Sequence, residues 1–173
     1  HKGWEYSRSH NPTRAALESA FAELEGGNHG LAFASGLAAI DTVLKTLKPG
    51  DEVIAGQDLY GGTARLFRTN HAPMGIVFHF VDTQDPSLVE AAISDKTKLV
   101  WLESPTNPLM QISDIRAIAD LTKPRGIVLA VDNTFASPML QRPLEHGADI
   151  VMHSVTKYLG GHSDVVMLSL IHI

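Results

Sequence analysis

Short apolar runs alternate along this chain with segments whose apolar residues recur every three or four positions. The first periodic segment, NPTRAALESAFAELEGG, sets Leu17, Phe21 and Leu24 at i, i+4 and i+7. Asn11 suits its N-cap, Pro12 its first helical position, and Gly26-Gly27 its end. GLAFAS is a short strand-like run that leads directly into GLAAIDTVLKTLKPG. There Leu37, Ile40, Leu44 and Leu47 form a helical stripe, with Lys45 and Lys48 toward its C-terminus and Pro49-Gly50 beyond. Further strands are expected at EVIAG, GIVFHFV, KLVWLES, IVLAVDN and DIVMHS, with helices between them at about 61–69, 85–94, 112–122 and 138–147.

Several of these strands are apolar on both alternations, which implies burial on both faces. Strands separated by helices imply an α/β domain: a mainly parallel sheet with helices on both faces. In such sheets ligands bind outside the carboxyl ends of the strands. The chain begins in a polar stretch, HKGWEYSRSH, and closes on the apolar VVMLSLIHI without a turn or cap. It therefore reads as a fragment of a longer protein.

Composition narrows the class. The 173 residues suffice for one large domain, and 44% apolar with 19% charged residues is ordinary for a globular protein. A net charge of −5, with 14 Lys and Arg scattered along the chain, argues against a nucleic-acid partner. The absence of cysteine excludes disulfides, zinc–thiolate sites and thiol nucleophiles within the chain, and fits a cytoplasmic setting. No apolar run approaches membrane-spanning length, so no membrane partner is expected. The histidines, including His162 near Asp164, show no metal-ligand spacing, and no metal site is expected.

Chemistry-bearing residues gather just after the strands: Ser35-Gly36, Glu103 to Asn107, Asp132 to Thr134, and Ser154 to Lys157. Lys157, amid Ser154, Thr156 and glycines, is either a surface lysine or a Schiff-base lysine held uncharged beside a phosphorylated ligand. Asp132 ends a buried run and is either an N-cap, a metal ligand or the partner of a cationic ring nitrogen. Ser35-Gly36 opens a helix whose N–H groups could face an anion, as many strand-to-helix turns do. Tyr60, ahead of two glycines, either packs a loop or stacks on a flat ring. Asn107, held between prolines, could hydrogen-bond a ring substituent. Tyr6 and Arg8 precede the first helix, and an arm so placed suits contact with another subunit, with Arg8 clamping a phosphate.

Taken together, EYSRSHNPTR, LAFASGLAA, DLYGGT, ESPTNP, VDNTFASP and HSVTKYLGGHSDVV resemble the Cys/Met-metabolism pyridoxal-phosphate enzymes of the transsulfuration type. The resemblance runs from about residue 5 to 167 with the motifs in family order. It implies the large domain of a fold type I, aspartate-aminotransferase-like enzyme, residues 13–173, preceded by an arm over 1–12 and lacking the small C-terminal domain. The tail 168–173 departs from the family pattern and is expected to be non-native.

The resemblance also implies roles. Lys157 carries pyridoxal 5'-phosphate covalently and then moves protons. Asp132, with Thr134 beside it, partners the ring nitrogen. Ser35, the Gly36 and Leu37 amides, Ser154 and Thr156 hold the phosphate, which Tyr6 and Arg8 complete from a neighbouring subunit of a homodimer or homotetramer. Tyr60 stacks on the ring and assists proton transfer, Asn107 faces the ring hydroxyl and the substrate carboxylate, and Arg65 contacts an amino-acid substrate. The reaction implied is γ-elimination on cystathionine. Cystathionine γ-synthase, O-acetylhomoserine sulfhydrylase and methionine γ-lyase are alternatives, the last weakened because Gly62 stands where those lyases carry cysteine. A truncated, inactive cofactor-binding fragment is the alternative of a different class.

Overall fold

The computed structural model describes residues 3–162 and 164, and the backbone of 168–172. Ser163, inside the His162–Asp164 grouping, and Ile173, in the tail expected to be non-native, lie outside the described residues.

The longer helices begin where the sequence supplies caps. In α1 (Pro12–Glu25) the Asn11 side chain accepts from the backbone N–H of Thr13 and Arg14. Gly26 ends α1 at φ 74°, the left-handed conformation that glycine reaches without a Cβ penalty. Ser35 caps α2 (Gly36–Leu44), Asp85 caps α4 (Pro86–Ala92), and Asp114 caps α5 (Ile115–Thr122). The helix expected at 61–69 is a short α3 (Gly61–Arg65) that continues as a π-helical stretch, Leu66–His71. The segment expected to be helical over 138–147 is instead divided. A four-residue α6 (Ser137–Leu140) stops at Gln141, which is extended, and a 3-10 turn follows at Pro143–His146. Proline has no N–H to continue a helix across that point.

Among the described residues, seven strands form one sheet: β1 (His29–Phe33), β2 (Glu52–Gly56), β3 (Val77–Val81), β4 (Thr97–Glu103), β5 (Val128–Asp132), β6 (Ile150–Ser154) and β7 (Leu168–His172). Their order is β1-β7-β6-β5-β4-β2-β3. The pairs β2–β3, β2–β4, β4–β5 and β5–β6 are parallel, whereas β7 runs antiparallel between β1 and β6.

The double-sided apolar pattern of the central strands has a direct structural cause, because helices cover both faces. Ile54, Val100, Leu102, Leu129 and Val131 meet Phe21 of α1, Val89 of α4 and Ile118 of α5 in one core. Val53, Ala55, Leu99, Trp101 and Ala130 point the opposite way, into a second core with Ile40 and Leu44 of α2 and Phe67. Each fully buried aliphatic side chain in these layers stabilises the fold by roughly 1.5–3 kcal/mol. No helix among the described residues is long and apolar enough to cross a membrane.

This layout determines where a ligand can bind. The chain leaves β2 toward β3 at one edge and leaves β4 toward β5 in the other direction. Adjacent strands whose connections diverge leave a crevice at their carboxyl ends.

Candidate active site

A cavity of about 330 Å³ opens at that crevice. Ser35, Gly36 and Leu37 reach it from the start of α2, and Tyr60 from the loop after β2. Glu103 and Asn107 reach it from the end of β4, Asp132 and Thr134 from the end of β5, and Ser154, Thr156 and Lys157 from the end of β6. Ten of the thirteen residues that the sequence pattern and its family resemblance single out line this cavity, and their spacing follows from this convergence of strand ends.

One wall is an anion site. The Ser35 hydroxyl accepts from Ala38 N at 3.2 Å, so its own proton remains available to an outside acceptor. The Gly36 and Leu37 amides belong to the first helical turn, where intrahelical acceptors do not exist. Those amides, together with the positive end of α2, favour negative charge. Ser154 is fixed opposite by its backbone N–H, which donates to the Thr134 hydroxyl at 2.8 Å. Thr134 in turn donates its N–H to Asp132 Oδ1 at 3.0 Å.

The floor is acidic. Asp132 is buried, and burial raises its carboxyl above the ordinary range, while the Thr134 hydroxyl and N–H and the nearby His153 act in the opposite direction. No salt bridge among the described residues reaches Asp132; its ionised form is favoured by the Thr134 hydrogen bonds, with a smaller contribution from the charge of His153. Glu103 lies beside it, since Glu103 and Asp132 are register partners on β4 and β5. Burial, and then the Asp132 charge, push Glu103 up to about 8. A floor with two carboxyl groups and, among the described residues, no salt bridge to either suits a ligand that brings its own positive charge or proton.

Tyr60 is 52% exposed and overhangs the cavity. Gly62 makes this placement possible: a Cβ there would collide with Cε1 of the Tyr60 ring. Asn107 is half-buried on the opposite side. Lys157 stands exposed at the rim, so the lysine expected to be desolvated is left open to solvent by this chain's own atoms. Behind the floor, buried Glu25 of α1 accepts from both His153 and Asn133, linking that helix to the ends of β5 and β6.

Three expected residues lie outside the cavity lining. Tyr6 and Arg8 stack on each other at 4.7 Å in an exposed arm, and Arg65 is exposed at the end of α3. Glu103 was noted in the sequence only as the start of the strand-end run 103–107 and was given no role, although it lines the cavity. The signal was present, because it ends an apolar strand just as Asp132 does.

A family model described as Cys/Met metabolism PLP-dependent enzyme matches residues 1–172. A probable cystathionine gamma-synthase of Herpetosiphon aurantiacus is 55% identical over 166 residues, 96% of this chain and 52% of that protein. A cystathionine beta-lyase of Coxiella burnetii is 53% identical over 167 residues, 96% of this chain and 43% of that protein. A crystal structure of cystathionine gamma-lyase from Lactobacillus plantarum, complexed with L-serine, matches with a TM-score of 0.96 at 52% identity. It covers 98% of this chain and 45% of that one. The chain thus spans about half the length of the relatives it matches.

Proposed function

The chain belongs to the Cys/Met-metabolism PLP-dependent enzymes, and on that premise we propose that it serves transsulfuration as a carbon–sulfur lyase acting on cystathionine. The observation that carries the reading is the single cavity in which Lys157, the buried Asp132 and the anion-binding start of α2 converge.

The donor set fits pyridoxal 5'-phosphate. Asp132, raised by burial and lacking an ion pair among the described residues, suits a protonated ring nitrogen. The hydroxyls of Ser35, Ser154 and Thr156, with the Gly36 and Leu37 amides, suit a phosphate. When bound, the cofactor supplies an electron sink for bonds broken next to the substrate's α-carbon.

The chain's own residues do the rest. Lys157 would hold the cofactor covalently through Nζ, and the same amine is placed to take and return protons at the substrate carbons. Asp132 keeps the proton on the ring nitrogen, and Thr134 keeps Asp132 oriented. Tyr60 covers the ring and excludes water, and its phenol is placed for proton transfer. Asn107 orients the ring hydroxyl and the substrate carboxylate. Tyr6 and Arg8, exposed and outside the cavity, suit a neighbouring subunit's phosphate site, so a homodimer or homotetramer in the cytoplasm goes with this reading.

The net reaction is cystathionine plus water giving cysteine, 2-oxobutyrate and ammonia. A γ-replacement reading, in which cysteine displaces the activated γ-substituent of homoserine, rests on the Herpetosiphon relative. The test is to supply cystathionine and assay 2-oxobutyrate, then supply an activated homoserine with cysteine and assay cystathionine. Release of 2-oxobutyrate from cystathionine supports the lyase. Cystathionine formation without that release replaces it with the synthase. Cofactor attachment with neither product leaves a binding fragment.

A further inference from the structure

Two loops leave the sheet in opposite directions at the β2–β4 crevice, and each carries one wall of the cleft. The loop after β2 presents Tyr60, and the loop after β4 presents Asn107. One side chain joins them. Glu103 Oε2 accepts from the backbone N–H of Tyr60 at 2.8 Å, and its Oε1 accepts from the backbone N–H of Asn107 at 2.8 Å.

We propose that Glu103 is a positioning residue that fixes Tyr60 and Asn107 at a set separation across the cleft, a role that rests on the cofactor reading above and deepens it.

The chemistry of the tie favours glutamate. A carboxyl group offers an acceptor oxygen to each loop, whereas an amide of the same shape offers one oxygen and turns an NH₂ donor toward the second N–H. Glu103 is 5% exposed, so water cannot readily replace a lost acceptor. The tie also opposes local electrostatics. The charged groups facing Glu103 are Asp132 on β5 and Asp58 on the loop after β2, both acidic, and both raise its pKa. The Tyr60 and Asn107 amides act in the opposite direction. A strand-end carboxyl group kept where burial and two like charges disfavour ionisation is consistent with a role for its two hydrogen bonds. Farther out, Asp58 Oδ2 accepts from Leu109 N at 3.1 Å, so the same two loops are tied again at the rim. Glu103 is the inner tie, under the ring that Tyr60 would cover.

The test compares the wild-type chain with Glu103→Gln by backbone hydrogen exchange without cofactor, and by titration with pyridoxal 5'-phosphate followed by borohydride trapping. Exchange should accelerate about tenfold or more in the segments around Tyr60 and Asn107, with β5 unchanged. Affinity for pyridoxal phosphate should fall about tenfold while the trapped adduct stays on Lys157. Unchanged exchange in both loops, acceleration spread evenly through β5, or unchanged affinity would each overturn the proposal. An absent adduct in the wild-type chain would instead defeat the cofactor reading, and the loop exchange would still report on the tie. If the Gln variant does not fold, Glu103→Asp keeps both acceptors on a shorter stem. It should accelerate exchange in one loop, and no acceleration in either loop counts against the role.

Discussion

Replacing Glu103 by Gln should change how the chain's stability responds to pH. The Glu103 carboxyl rises from 4.5 to about 8, through burial first and then the Asp132 and Asp58 charges. Between those values the folded protein keeps a proton that the unfolded chain releases. This group's contribution is therefore fully present below pH 4.5 and is lost as pH rises toward about 8. The gap, 8 − 4.5, corresponds to a ceiling of about 5 kcal/mol at about 1.4 kcal/mol per unit. Glutamine does not titrate, but it leaves one backbone N–H facing a donor, which costs about 1–3 kcal/mol. The two stability curves should therefore cross. At about pH 5 the variant should be less stable by about 1–3 kcal/mol, and by about pH 9 it should equal or exceed wild type. Reversible urea unfolding across that range, followed by tryptophan fluorescence without added cofactor, reads this directly. Burial, the leading cause of the rise in Asp132, does not depend on Glu103, so the difference between the curves reports chiefly Glu103. Parallel curves, offset but with the same pH dependence, would mean that Glu103 does not keep a proton in the folded chain across this range.

Other perturbations test the layers around this floor. Glu25→Ala removes the shared partner of buried His153 and Asn133 and should cost about 3–5 kcal/mol in urea unfolding, as for a broken buried pair. Asp132→Asn should weaken pyridoxal phosphate binding by roughly tenfold to a hundredfold in an absorbance titration, with the adduct still formed. Gly62→Ala introduces a Cβ against the Tyr60 ring and should displace that ring. Its effect should appear as weaker cofactor binding, with a change in unfolding stability below about 1 kcal/mol.

Most of the sheet was legible because burial on both faces leaves a strong mark. VLAVD and KLVWLE are apolar on both alternations, and the structure puts those alternations into two separate cores. Asn11, Gly26 and Ser35 could be read as boundaries because capping is local chemistry. The 138–147 segment was misread because its outcome depends on distant partners. The Gln141 side chain donates to Ser104 O and Asn133 Oδ1, which holds the chain extended where a helix was expected. The position of β7 between β1 and β6 was equally hidden, since it pairs segments from opposite ends of the chain. Within the cleft, residue types at strand ends identified the lysine, the aspartate and the hydroxyls. The tie made by Glu103 was not visible, because its partners are backbone amides that any sequence would supply.

The proposed function requires that this cleft hold pyridoxal 5'-phosphate on Lys157. The most direct measurement is to incubate the folded chain with the cofactor, reduce with borohydride and map the modified residue by mass spectrometry. A pyridoxyl adduct is expected on Lys157 that disappears in Lys157→Ala. An adduct retained in that variant, or a folded wild-type chain with no adduct at Lys157, would contradict it.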